Sequence, residues 1–292
     1  MPENNPEFLV IGKGGQLASA FEEILGVRAV YLGLPELDLL RPGKILPYLN
    51  KFSPKAIINT AAYTAVDKAE EEENLATVIN GDSVGVLAAF CQERNIPLVH
   101  YSTDYVFSGK GDKPWKEDDK VEPLNAYGRS KLEGEEKAEI AKKHLIFRTS
   151  WVYDHSGKNF LTAMMRLGKE REEIMIVGDQ YGAPTYALHL AKYSLQALET
   201  ALAMPEFPSG IYHMAGGGIT TWYEFALSIF GNLQKKNIPL RVKKIVSITA
   251  KEYKTPAKRP YNSRLDMSKL RRVFGIVMPD WVQGLRECVE RI

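Results

Sequence analysis

The chain has 292 residues, 45% of them hydrophobic and 25% charged, with a formal net charge of +2. That length supports a sizeable core and two lobes, and the near-neutral balance gives no global reason to expect nucleic acid as a partner. Two cysteines, Cys91 and Cys288, speak against a disulfide framework; a polar start and the lack of a long apolar stretch predict a cytoplasmic protein with no signal peptide and no membrane contact.

An apolar run at 8–11 stops at a glycine, and 17–25 reads as a helix. Strands follow at 29–32 and 56–58, and the acidic run 67–73 fits a solvated first helical turn, where carboxylates suit the helix dipole. Val78, Val84, Leu87, Ala88 and Cys91 space apolar groups along a helix at 76–94. A strand at 97–101, a helix at 125–142 with Asn125 as its N-cap, and a strand at 145–148 complete the first half. This alternation predicts right-handed βαβ units, and so an α/β fold with a Rossmann-like doubly wound parallel sheet. Beyond Trp151, helices are expected at 160–170, 187–204 and 221–232, with short strands at 174–177 and 210–213. The strands read as late additions to the main sheet and the helices as mostly a smaller lobe. The expected division is a dinucleotide-binding domain at 1–153, with returning strands near 174–185 and 210–216, and a mainly substrate-binding lobe at 154–292.

Two local patterns carry chemistry. The first strand runs into Gly12-Lys13-Gly14-Gly15-Gln16-Leu17-Ala18, a Gly-x-x-Gly-x-x-Ala turn opening a helix. Glycines there permit a tight turn that presents backbone N–H groups to a pyrophosphate. The second strand ends in Leu32-Gly33-Leu34-Pro35, without an acid to grip a free ribose 2′-hydroxyl. Lys13 and Arg28 are candidate partners for a 2′-phosphate, so NADPH is the expected cofactor and NADH the alternative. The second pattern is Tyr127-Gly-Arg-Ser-Lys131, with Thr103 in the preceding strand region. Residues four apart on a helix share a face, and an ammonium beside a phenol favours the phenolate, lowering a pKa of about 10. Thr103 supplies a second hydroxyl for a substrate oxygen. Thirteen basic residues between 235 and 272 face only Glu252 and Asp266. Of these, Arg259 sits in a loop stiffened by Pro256 and Pro260 and is the candidate grip on a nucleoside diphosphate.

Longer segments extend these patterns: Asn59-Thr-Ala-Ala-Tyr-Thr-Ala-Val-Asp-Lys-Ala-Glu70, Ser102-Thr-Asp-Tyr-Val-Phe107, Arg148-Thr-Ser-Trp-Val-Tyr153, Asp179-Gln-Tyr-Gly-Ala-Pro-Thr185, and Pro256-Ala-Lys-Arg-Pro260 with Asn262-Ser-Arg-Leu265. Together they resemble the extended short-chain dehydrogenase/reductases and, more closely and over nearly the whole chain, the dTDP-4-dehydrorhamnose reductase family. The resemblance implies NAD(P)H-dependent reduction of the 4-keto group of dTDP-4-dehydro-L-rhamnose to dTDP-L-rhamnose. It implies that Tyr127 protonates the C4 oxygen, that Lys131 binds nicotinamide-ribose hydroxyls and tunes Tyr127, and that Thr103 bonds the sugar carbonyl. Gly12, Gly14, Gly15, Gln16 and Leu17 would line the pyrophosphate, Asp38 and Leu39 the adenine, and Ala61, Ala62, Tyr63 and Asn80 the rest of the cofactor channel. Asp104, Tyr105, Trp151 and Arg259 would face the sugar nucleotide.

The chain departs from that family at Ala18, where glycine is common, and at Ala20, where Mg²⁺-dependent members carry an acid. Ala20 argues against a metal-bridged dimer, while a homodimer and a Mg²⁺ role stay open. None of the five histidines has ligand spacing to another, so no intrinsic metal site is expected. Two alternatives remain: a non-catalytic regulatory subunit resembling that of methionine adenosyltransferase, and an epimerase or dehydratase that keeps its NAD tightly bound.

Overall fold

A computed structural model describes residues 5–292. Its first strand, β1 Phe8–Ile11, is buried at every residue, as a strand covered on both faces must be. The chain continues through α1 Gln16–Leu25, β2 Ala29–Leu32, β3 Ala56–Asn59, α2 Ser83–Arg94, β4 Leu98–Thr103, α3 Ala126–Ala138 and β5 His144–Thr149. Then come α4 Phe160–Glu170, β6 Glu173–Val177, α5 Ala187–Ala203, β7 Gly210–His213, α6 Trp222–Lys235, β8 Lys244–Ile248 and α7 Trp281–Glu290. Six strands form one parallel sheet in the order β7-β5-β4-β3-β1-β2. The strand order reverses at β1, so the crevice beyond the carboxyl ends of β1 and β3 is the switch point where doubly wound sheets take ligands.

Each face of the sheet has its own core. Val10, Phe21, Phe147, Leu190 and Leu198 pack α1 and α5 on one side. Ile11, Leu87, Phe90 and Ile146 pack α2 on the other. A third core lies off the sheet, where α6 (Phe225, Ile229, Leu233) meets α4, β6 and α7. Cys91 and Cys288 are buried and unpaired.

Four expectations need correction. The strand at 174–177 does not join the main sheet: β6 pairs in parallel with β8, Glu173 against Lys244 through Val177 against Ile248. Its burial alternates, with Ile174 and Ile176 in and Glu173 and Met175 out, which suits a sheet with one wet face and not the doubly covered one. β7 does join the main sheet, beside β5. The helix expected to reach 142 ends at Ala138, where Ile140 and Ala141 N–H groups turn to carbonyls three residues back and Ala141 is tucked inside.

The helical run Glu73–Arg94 is long and apolar enough by composition to cross a membrane, contrary to the expectation of no such stretch. Half of that window is buried in the protein, where Leu87, Ala88, Phe90 and Cys91 serve the second core. The acidic run, finally, is not a solvated turn. Asp67 pairs with Arg259 at 2.9 Å, Glu70 accepts the Ala126 N–H at 2.8 Å, Glu72 accepts the Tyr63 hydroxyl at 2.5 Å, and Glu73 holds Arg129 at 2.7 Å. Carboxylates contiguous in sequence thus brace the start of α3 and the loop after β3.

Candidate active site

After β1 the backbone turns through Gly12 (φ +111°) and Gly14 (φ +83°), conformations that side chains disfavour. A Cβ on Gly12 would lie 2.6 Å from Thr60 Oγ1 and 2.8 Å from Ala61 N, so glycine is what lets the loops after β1 and β3 touch. Helix α1 opens with Gly15 as N-cap, without a side-chain cap and without an acid in its first turn. Its first N–H groups, at the positive end of the helix dipole, are thereby left for an anion, and Gln16 and Leu17 stand at that opening. Ala18 is buried, so a small residue is what the position needs. The Gln16 amide oxygen accepts from Asn159 Nδ2 at 2.8 Å, tying the turn to the start of α4.

Lys13 donates its N–H to Leu32 O at 3.1 Å, which sets it at the end of β2, where a 2′-phosphate would be read. Arg28 precedes β2, at the opposite end of the sheet, and is ion-paired with Glu7 and Glu199 at 2.9 Å each. It is removed as a candidate. Asp38 and Leu39 follow β2; Asp38 Oδ1 accepts from Leu40 N at 2.9 Å, and Leu39 is buried with its carbonyl bonded to Ser83 Oγ.

Ala61, Ala62 and Tyr63 are half-buried in the loop after β3. Asn80, on a π-turn, binds that loop on both sides: its Oδ1 accepts from Tyr63 N at 2.8 Å, and its Nδ2 donates to Tyr63 O at 3.1 Å and to Ser130 Oγ at 2.9 Å. The amide's donors are spent within the protein, so Asn80 clamps the loop after β3 to α3.

Helix α3 begins as expected at Asn125, whose Oδ1 accepts from Gly128 N at 2.8 Å; its Nδ2 also donates to Lys258 O at 2.8 Å, joining the helix start to the Arg259 loop. Thr103, at the end of β4, donates to Asp104 Oδ1 at 3.1 Å and accepts from Tyr105 N at 3.2 Å. Asp104 Oδ2 is buried with no hydrogen-bond partner among the described residues. Burial pushes this carboxyl up to about 7, opposed by the Ser263 and Thr103 hydroxyls.

The expected depression of the Tyr127 pKa by Lys131 does not hold. Burial first, and then the Asp104 carboxylate, raise the phenol above its usual value, with Thr103 the only opposing neighbour. The physical reason is that desolvation dominates, and Lys131 is not among the groups that lower the phenol; burial brings Lys131 itself down to about 8, and its Nζ lies 3.4 Å from His100 Nε2. A phenol that keeps its proton is suited to giving it to an oxygen that gains charge.

Tyr105 meets Tyr127 edge-on at 5.6 Å. Trp151, held in a left-handed conformation (φ +49°), stacks on Trp222 at 3.7 Å. A cleft of about 1030 Å³ opens nearby, lined by Phe160, Gln180, Trp222, Tyr253, Lys258 and Arg259. Arg259 Nη2 holds Asp67, while its Nη1 is buried and has no hydrogen-bond partner among the described residues. The rest of the basic stretch disperses: Lys243 and Lys244 pair with Glu172 and Glu173, and Lys269 bonds the Ile211 carbonyl. Phe160 and Trp222 carried no sequence signal, and Gln180 stood in the Asp179–Thr185 segment without an assigned role; Glu70, which accepts the Ala126 N–H, supports the α3 start that Asn125 was expected to cap. Among the described residues no three His, Cys, Asp or Glu side chains are grouped to hold a metal ion.

A family model described as the RmlD substrate binding domain matches residues 7–292. The dTDP-4-dehydrorhamnose reductase of Burkholderia thailandensis is 44% identical over 291 residues, covering 97% of this chain and 98% of its own. That of Escherichia coli K12 is 44% identical over 256 residues, covering 87% and 85%. The crystal structure of dTDP-4-dehydrorhamnose reductase from Bacillus anthracis in complex with NADP superposes with a TM-score of 0.90 at 34% identity, covering 99% of this chain and all of that one (100%).

Proposed function

The chain belongs to the RmlD substrate-binding-domain family, and from that premise we propose that it reduces the 4-keto group of dTDP-4-dehydro-L-rhamnose with NADPH, giving dTDP-L-rhamnose. The observation that carries this reading is Thr103 and Tyr127 held beside the buried Asp104, with Lys131 one turn further along α3. The glycine turn, the uncapped first turn of α1 and the loop clamped by Asn80 fit a dinucleotide. Lys13 at the end of β2 supports NADPH over NADH.

When bound, the nicotinamide supplies the hydride. Tyr127, kept protonated by its buried setting, gives its phenolic proton to the C4 oxygen as charge develops there. Thr103 turns its hydroxyl from Asp104 to the same oxygen and holds it in line with Tyr127. Tyr105 and Trp151 pack against the sugar ring, and the free Nη1 of Arg259 meets the diphosphate while Asp67 fixes the other nitrogen. In this reading 1–153 holds the cofactor and 154–292 mainly the sugar nucleotide.

The test is NADPH consumption with dTDP-4-dehydro-L-rhamnose generated in situ, beside UDP- and GDP-linked keto sugars. The dTDP sugar should be preferred, and NADPH should bind reversibly. Stoichiometric NAD⁺ that survives dialysis would reassign the chain to epimerases or dehydratases. No consumption with any keto sugar would favour a regulatory subunit.

A further inference from the structure

His100 lies in the middle of β4, wholly buried, between two side chains that determine its state. Asn59 Nδ2 is 3.2 Å from His100 Nδ1, and Asn59 Oδ1 accepts the Ala61 N–H at 3.2 Å, so the amide's NH₂ end faces the ring. Nδ1 is therefore an acceptor and the ring proton sits on Nε2. That Nε2 lies 3.4 Å from Lys131 Nζ. An ammonium has only N–H groups to set against this N–H, whereas a neutral amine offers its lone pair. Gly134 on α3 makes room for the arrangement, since a Cβ there would lie 3.3 Å from His100 Nε2 and would collide with the Asn80 carbonyl.

The other charges around Lys131 are accounted for. Glu135, next to it on α3, favours its charged form but is itself held by Arg148 at 2.7 Å; Tyr127 is one turn earlier, and Asp104 follows β4 beside Tyr127. Burial first and Lys131 second hold His100 well below the usual imidazole value, so the ring stays neutral.

We propose that His100 is a positioning residue for the reductase reaction: through Nε2–H it holds Lys131 Nζ and favours the neutral amine. This rests on Tyr127 and Lys131 being the reacting pair. When Tyr127 has given its proton to the C4 oxygen, the Lys131 ammonium passes one of its protons to the phenolate, and the amine left behind accepts from His100. Lys131 recovers its proton from solvent.

His100→Gln places an amide carbonyl where the N–H stood and gives the ammonium an acceptor. In the folded variant, checked by Tm and NADPH binding, the alkaline limb of the kcat profile should move up by about one pH unit, a tenfold change in the protonation ratio of Lys131. A variant that loses rate equally at every pH, with the limb unmoved, overturns the proposal. If the variant does not fold, nitrogen-15 NMR of His100 in the native protein decides. A neutral Nε2-protonated ring throughout about pH 5–8 is expected; the Nδ1–H tautomer or an imidazolium in that range refutes it. An inactive wild type would instead refute the reductase reading, and the NMR result would still speak for or against the His100–Lys131 contact.

Discussion

The interior around α3 and the interior around α6 are held together by different forces. Beside α3, Asn59, Asn80, His100, Asn125, Ser130, Lys131, Glu135 and Arg148 are each no more than 3% exposed. Around α6, Phe225, Ile229, Leu233 and Leu285 are fully buried in an apolar cluster. A buried polar group costs free energy unless its partner is in place, so the first region is specified in geometry and intolerant of change. Apolar packing is non-directional and accepts a swap that conserves volume. In the proposed reaction the chain thus puts positional demands where protons would move and adaptable packing beside the cleft proposed for the sugar nucleotide.

The largest break expected is at the Arg148–Glu135 pair, 2.7 Å apart and 3% and 2% exposed. Arg148→Ala leaves Glu135 buried and unpaired, and should cost about 3–5 kcal/mol in denaturant unfolding. A loss below about 1 kcal/mol would mean water reaches this interior.

Asp104 should give the comparison a pH dependence. Its carboxyl is raised from 3.8 to about 7 in the folded chain, so the folded state holds the proton more tightly than the unfolded one. Stability should therefore fall as pH rises from about 4 to 7 and stay lower above that, by on the order of 4 kcal/mol for a shift of this size. Asp104→Asn should flatten that slope; equal slopes in the two proteins would remove Asp104 from the account.

At the boundary between the regions, Arg259→Ala should raise KM for the sugar nucleotide roughly ten- to a hundredfold, about 1.5–3 kcal/mol, and leave NADPH affinity unchanged. An unchanged KM would make the Asp67 pair purely structural. The smallest effect is expected inside the apolar core, where Leu285→Met should cost less than about 1.5 kcal/mol and leave kcat intact. A loss as large as that of Arg148→Ala would erase the contrast.

The sequence made legible what local pattern encodes. The glycine turn, the Asn125 cap, the Tyr127–Lys131 spacing and each strand or helix of the alternation are encoded by residues close together in sequence, and each appears in the fold. What joins them was hidden, because partners distant in sequence leave no periodic trace. Glu70 and Ala126 are 56 residues apart, and Asp67 and Arg259 are 192 apart. His100 sits inside an apolar strand that reads the same with any buried residue there. β6 was assigned to the wrong sheet because its partner, β8, is 71 residues downstream. The Tyr127 expectation failed on magnitude: helical spacing shows that a cation is near, but only the packed structure shows that desolvation wins.

In the proposed reaction a protonated Tyr127 delivers the proton that completes reduction at C4. This step is tested most directly by steady-state NADPH consumption with dTDP-4-dehydro-L-rhamnose for wild type and Tyr127→Phe, with Tm and NADPH affinity measured on both. The variant keeps the ring and loses only the hydroxyl, so both controls should match wild type while kcat falls by about 10²–10⁴. A folded, NADPH-binding Tyr127→Phe protein that turns over at the wild-type rate would contradict the account.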